Sequence, residues 1–518
     1  MSSAVVGEPY GLAGKRMPFV GWRYVRPGAY AWLDRNGNNV TVHGDVAAGE
    51  ARLELYDSPH GIRLVTHAAQ RGKPILSEET AWERDGWPVL TTVIQEARKY
   101  RAWGTIGNWG DLKSRGESYF CYFESEDGRN WRRPPCGILE FNGSKDNNLL
   151  AREGGTVFVD PSAPQTARYK WVASAQYTPE EAAQYRAKRT CGIDYKSNRP
   201  DANHVAGIKG ATSPDGLRWN IIEMPLALIH SDTQIVAYFD EGLKKYVLYT
   251  RDWAVDRRAP AHAADVDPSR WILVGRRSIG RVESEDFREL GPATLLLEPP
   301  VALGPAQVLY TNCRTTIPGA PDTHLMFPAV WDQSTDRTHL RLATSGNGIA
   351  WNWLSPSDDP MLETAPTGAW DGGCLFALPN LVELPDGAFA LPYTGYDVPH
   401  KYPRKRARRA TGYALWPKGR LAGICADEAG SFATVAVLPA GEKLLVNAVI
   451  EEGGSLTIEV ADLTGKIIDG YSFADFAPLS ADCYKTPARW KARESLPPQA
   501  VLFRFQLKRA TLYSLDFA

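Results

Sequence analysis

SEDGRNW at 125–131 returns as SPDGLRW at 213–219 and as SGNGIAW at 345–351. In S-x-D/N-G-x-x-W the Asp-Gly or Asn-Gly pair supplies a tight turn, with glycine free to take positive φ. The Ser and Asp side chains can hydrogen-bond the turn's own backbone. The Trp three residues past Gly can fold back beneath it. Such a motif joins two strands at a sheet margin. A worn copy, SEDFREL at 284–290, falls between the second and third, with Phe in place of Gly and Leu in place of Trp. Repeats spaced this widely in β-type sequence predict propeller blades, each a four-stranded antiparallel sheet.

Reading outward from the turns gives five matching units between about 75 and 425. Each has a short mixed segment, an alternating strand and an aromatic-rich strand. DEGLKKYVLY and LPDGAFALPY read as hairpins. Beyond 425, EKLLVNAVI, GSLTIEVAD and AVLFRFQLKRATLYSLDFA alternate at period two without the Trp turn, which predicts a β-sandwich over 426–518. Residues 1–74 are expected to pack on the propeller, either completing a blade or capping it. The expected fold is therefore all-β, a five-bladed propeller over 75–425 followed by a sandwich.

Composition agrees. The 518 residues include 17 Trp, 22 Tyr, 16 Phe, 46 Gly and 37 Pro, which favours short strands and tight turns over long helices. Net charge is −1, which argues against a nucleic-acid partner bound through its phosphates. The one dense basic run, Lys401 to Arg409, reads as a solvated loop or as a local anion contact. Seven widely spaced Cys without a CxxC argue for reduced thiols over disulfides or a zinc site. MSSAVVGEPYGLAGKRMPF lacks an apolar signal core, and no run of about 18 apolar residues occurs, so a cytoplasmic location without membrane contact is expected. A homo-oligomer is left open.

Chemistry in a propeller sits where the innermost strands begin, because those openings converge on one funnel. The openings here are AWERDGW (81–87), SKDNN (144–148), HSDTQ (230–234), YTNCR (310–314) and AWDGG (369–373). Four of them carry a carboxylate: Glu83, Asp146, Asp232 and Asp371. Glycoside hydrolysis needs one carboxyl as proton donor and a second as nucleophile or base. Asp232 and Asp371 are the expected pair, with Glu83 or Asp146 as a third acid. Asn147, Asn148, Gln234 and Asn312 are candidate hydroxyl ligands. Trp82, Trp370 and Tyr310 are candidate stacking faces, and His230, Arg251 and His324 are further contacts. Each also has a plainer reading as a turn, core or ion-pair residue. Asp127 and Asp215 belong to the repeated turns and read as structural.

Five blades before a sandwich resembles the five-bladed glycosidases, glycoside hydrolase families 32, 43, 62 and 68. The run FNGSKDNN, ATSPDG, SDTQ, GRRSIGR, YTN, LMFP, WDGG and FRFQLKRATLYSLDF is similar to bacterial proteins described as family 32-like. The resemblance implies a carbohydrate-processing funnel. Family 32 strings W-x-N-D-P-N-G and E-C are absent, and Arg251-Asp252 lacks the following Pro. The resemblance therefore implies fold and reaction class, not a residue triad. It implies a carbohydrate substrate and no required cofactor, and an oxygen-rich funnel is compatible with a structural Ca²⁺. A carbohydrate-binding propeller without catalysis, or a lyase or transglycosylase on the same scaffold, are the alternatives. In the lyase reading His230 is the base, and Arg314 or Arg251 holds a uronic acid.

Overall fold

The computed structural model describes residues 8–36, 38, 40, 51–83, 88–96, 99–107, 118–192, 204–254, 275–354, 360–402, 407–491 and 493–518. The regular secondary structure of the described chain is nearly all β-strand. It divides into two compact units: residues 68–316 with 324–416, and residues 1–67, 317–323 and 417–518. The unit borders at 67/68 and 416/417 lie a few residues before those expected from sequence.

The larger unit is a succession of antiparallel sheets. Sheet I holds Val89–Glu96, Lys99–Ile106, Tyr119–Ser125 and Leu149–Ala151, and sheet II holds Thr156–Val159, Tyr169–Tyr177, Val205–Ser213 and Asn220–Ile221. Sheet III holds Val236–Asp240, Lys245–Ala254, Arg276–Ser284 and Thr294–Leu297. The fourth is split across its middle. Gln307–Leu309, Ala329–Asp332 and Arg337–Leu340 pair in one half, and Arg314–Ile317, Ala320–Met326, Ala343–Ser345 and Asn352–Trp353 pair in the other. The break follows from Pro328, which has no N–H to donate, and from Cys313, held at φ 41°. Sheet V holds Cys374–Ala377, Phe389–Tyr396 and Arg409–Trp416, and its outer strand is Gln70–Pro74 from the other end of the chain. Part of the N-terminal segment thus completes a sheet.

Successive sheets bury apolar residues between them. Val93, Ala102 and Phe123 of sheet I meet Ala390 and Tyr413 of sheet V. On the opposite face, Trp103, Phe120 and Tyr122 meet Val157, Tyr169 and Trp171 of sheet II. Phe158 and Ile208 of sheet II meet Leu248 and Val282 of sheet III, and Tyr249 and Ile279 of sheet III meet Met326 and Val330 of sheet IV. Between sheets IV and V, Thr338 Oγ1 donates to Leu375 O and accepts from Leu375 N, both at 2.7 Å. Each sheet packs on the next, and the fifth returns to the first. Alternate residues on a strand therefore face different neighbours, which explains why the middle strands are buried almost continuously.

The repeated turns have a second function within this succession. In all three the Ser Oγ accepts from the Gly N–H at 2.9 Å. The Asp or Asn Oδ1 accepts the next two backbone N–H groups. The glycines take φ of 71°, 76° and 69°. Each Gly carbonyl also accepts a hydrogen bond from an aromatic residue of the preceding sheet. The donors are Tyr413 to Gly128 at 2.8 Å, Trp103 to Gly216 at 2.7 Å and Tyr249 to Gly348 at 2.8 Å. In the worn copy Phe287 fills the glycine position and packs on Phe158 of sheet II instead.

The smaller unit is built on one large sheet in the order Cys483–Pro487, Leu444–Ala461, Leu502–Phe517, Ala422–Ala433 and Arg63–Thr66, with Arg16–Pro18 also paired to Leu502–Phe517. Its core includes Phe19, Phe432, Val446, Leu456, Trp490 and Phe505. The one α-helix among the described residues, Pro179–Lys188, opens on a capping box between Thr178 and Glu181.

Candidate active site

The segment His230–Gln234 leads into the first strand of sheet III. There the Asp232 carboxylate pairs with Arg251 and stands 3.8 Å from Arg277. The two arginines lie on neighbouring strands. Trp253 is registered opposite Arg277, and Arg251 two residues earlier points to the same face. The guanidiniums are almost enclosed, while the Asp232 side chain is 57% exposed. Arg251 lies 4.5 Å over the Trp253 ring, and Arg277 lies 3.8 Å over the Tyr310 ring. Arg277 Nη2 donates to Thr233 Oγ1 at 3.0 Å and Tyr310 O at 3.2 Å.

Desolvation pushes the Asp232 carboxyl up, but Arg251, Arg277 and His230 outweigh it and hold it below the usual carboxylate value. Burial, with the charge of Arg251, lowers Arg277 to about 10. Asp232 is thus an ionised carboxylate on a cationic bed.

Tyr310 carries the site toward sheets IV and V. Its ring meets Trp331 at 5.6 Å, Phe376 at 5.5 Å and His400 at 4.4 Å. Asp336 anchors this wall, accepting from Trp331 Nε1 at 3.0 Å and Lys401 N at 2.6 Å. Lys401 Nζ lies 5.1 Å from the Trp331 ring centre and 5.8 Å from that of Tyr310. The basic run noted in the sequence therefore begins beside this wall; residues 403–406 lie outside the described residues, as do Asp85 and Trp87 of AWERDGW.

Asp232, Arg251, Tyr310 and, through its charge, His230 are the expected site residues that gather here. Others are committed elsewhere. Gln234 donates to Ala377 O at 2.7 Å and accepts from Cys313 N at 2.6 Å. Asn312 donates to Gln234 O at 3.2 Å, so these two amides tie the inner strands of sheets III, IV and V. Asn148 joins Trp82 Nε1 to Tyr122 O, each at 2.8 Å, and Asn147 closes the loop at Leu139 and Ser144. Asp146 is exposed. His324 pairs with Arg314 at 2.8 Å beside Tyr238.

Glu83 is fully buried. It accepts from Arg133 Nε at 2.6 Å and from the N–H groups of Glu79 and Thr80. Asp371 is also fully buried, bound by Arg71 of the outer strand and by the Tyr393 hydroxyl at 2.8 Å. Trp370 stacks on Tyr393 at 5.2 Å. Trp370 and Asp371 both press on the sheet at Gly395, where a Cβ would come within 2.3 Å of the Asp371 Cβ. Asp371 and Asp232 share no partner. The sequence reading passed over Arg277, Thr233, Trp253, Trp331, Phe376 and His400. GRRSIGR at 275–281 contained the first of these, but an arginine inside a strand gives no sign of the face it takes. Among the described residues no group of three or more His, Cys, Asp or Glu side chains could hold a metal ion.

No family model and no curated protein matches this chain. Solved structures do. A Coprinopsis cinerea GH62 α-L-arabinofuranosidase catalytic domain is 10% identical, with 67% of this chain and 97% of that one covered at a TM-score of 0.38. The Aspergillus awamori exo-inulinase is 10% identical over 86% of this chain and 99% of that one, TM-score 0.35. Lactobacillus gasseri sucrose-6-phosphate hydrolase is 10% identical over 88% and 93%, TM-score 0.34.

Proposed function

We propose that the five sheets are the blades of a five-bladed β-propeller, that the smaller unit is a β-sandwich, and that the protein is a glycoside hydrolase of a small oligosaccharide or glycoside. The observation that carries the reading is Asp232. An exposed carboxylate at the opening of an inner strand, kept ionised by Arg251 and Arg277 and bordered by Tyr310 and Trp253, suits the nucleophile or base of glycoside hydrolysis. The aromatic faces suit sugar stacking. In the reaction the glycosidic C–O bond breaks, the leaving oxygen gains a proton, and water supplies hydroxyl to the anomeric carbon. No cofactor enters this balance. A depressed pKa makes Asp232 unsuited to be the proton donor.

A carbohydrate-binding protein without catalysis is the second reading. It is favoured by the engagement of the buried Glu83 and Asp371 carboxylates with Arg133 and Arg71, which leaves Asp232 without its expected partner acid. One experiment separates the two. The intact protein is incubated with aryl pentofuranosides, fructofuranosides and pyranosides beside Asp232→Asn. Release of the aryl group, lost in the folded variant, supports the hydrolase. Sugar binding that survives Asp232→Asn, with no release from any glycoside, supports the binding protein.

A further inference from the structure

Arg251, Arg277 and Lys401 stand around Trp253, Tyr310 and Trp331, with Asp232 paired to Arg251 and Asp336 bonded to Trp331 and the Lys401 backbone. Arg277 is the informative member. It is 7% exposed, yet among the described residues no carboxylate hydrogen-bonds it; the nearest Asp232 oxygen is 3.8 Å away. Its Nε is buried without a partner, and its hydrogen bonds run through Nη2 alone. Buried guanidinium donors are ordinarily satisfied, because each unmet one forfeits its hydration. A neutral sugar would leave Arg277 with no hydrogen-bonded counter-charge among the described residues, because Asp232 is bonded to Arg251. A carboxylate would supply it, and its two oxygens match the guanidinium fork.

We propose that the Asp232 site receives a sugar bearing a carboxylate, read by Arg277 with Arg251 and Lys401 adding positive potential. The lowered pKa of Arg277 agrees, since burial and then the charge of Arg251 disfavour its protonated form and a bound anion would offset both. The proposal rests on the reading of the ligand as a carbohydrate and is independent of turnover.

The test is calorimetric titration of the intact chain with D-galacturonate, D-glucuronate, galactose, glucose and galactose 6-sulfate. The acids should bind at least about tenfold tighter than their neutral counterparts, weakening as salt rises. Arg277→Gln should remove at least about tenfold of acid affinity and leave neutral sugars unchanged. Arg277→Lys, which keeps the charge and loses the fork, should fall between. Asp232→Asn should tighten acid binding, because it removes a like charge. Equal binding of acid and neutral sugars, no binding of any, or an equal loss for both in Arg277→Gln would overturn the proposal. Binding of the sulfated sugar alone would overturn the carboxylate and assign the bed to a sulfate ester. Acid binding without release from any glycoside would sink the hydrolase and leave this inference standing; release from neutral glycosides without acid preference would do the reverse.

Discussion

Asp232 and Asp371 are both aspartates just before an inner strand, and in sequence they look alike. Their surroundings divide them. Asp232 is exposed over two arginines, and Asp371 is enclosed between Arg71 and Tyr393. Asp232→Asn is expected to lower aryl-glycoside hydrolysis by at least about a hundredfold with the fold retained, by circular dichroism, as for loss of a nucleophile or base. The pH profile carries a sign. A base with a depressed pKa stays active as pH falls below the usual carboxylate range near 3.9. Arg277→Gln removes part of that depression, so the acid limb of kcat/KM should move to higher pH. In the native protein the lowered Asp232 pKa favours the folded state above about pH 3.9, a contribution lost as pH falls through the lower folded value. Asp371→Asn should act on stability instead. It removes the charge from a buried carboxylate and leaves the partly exposed Arg71 without its counter-charge, a loss of about 1–3 kcal/mol in urea unfolding. Activity of the fraction still folded should be retained, and a selective collapse of kcat at unchanged stability would restore Asp371 to catalysis.

The turns show how far local sequence reaches at the scale of an element. Their internal geometry was legible, because Ser, Asp or Asn, and Gly each bond within a few residues. The bond that sews one sheet to the next was not, since Trp103 and Gly216 are 113 residues apart. The same limit explains the site: Asp232 and Arg251 stand in a quotable string, whereas Arg277, His400 and Lys401 arrive from later strands and loops by topology alone. It also explains why the enclosed setting of Asp371 was not legible, since it depends on Gly395 and Gly412 clearing space for Trp370. The turn carries its own prediction. Gly216→Ala imposes left-handed backbone on a residue with a Cβ, and that Cβ would sit 2.8 Å from the Trp103 ring. The strain alone is about 1–2 kcal/mol, and the clash adds to it. Thermal unfolding should fall by several degrees, and an unchanged midpoint would mean the turn does not hold sheets I and II together.

At the scale of the whole molecule, the N-terminal part of the chain contributes strands to both units. Gln70–Pro74 is the outer strand of sheet V, with Gly412 opposite Pro74 and Ala414 opposite Arg71. In the smaller unit, Arg63–Thr66 pairs with Ala422–Cys425, and Arg16–Pro18 pairs with Ser514–Asp516. Arg16 also forms an ion pair with Asp516 at 2.6 Å. In the sequence, residues 1–74 read as a segment that packs on the propeller, completing a blade or capping it, because short strands with few apolar residues carry little signal until their partners are known. The pairing implies that Arg16–Pro18, Arg63–Thr66 and Gln70–Pro74 are constitutive. A chain beginning at 75 would expose the edge of Arg409–Trp416, remove the Arg71 partner of Asp371 and uncover part of the Leu502–Phe517 strand. Unpaired strand edges invite association between chains. That truncated chain should therefore be insoluble or aggregated by size-exclusion chromatography, while the full chain is not. A soluble truncated chain with native circular dichroism and an unchanged unfolding midpoint would show that these strands are dispensable, and that sheet V closes the ring without Gln70–Pro74.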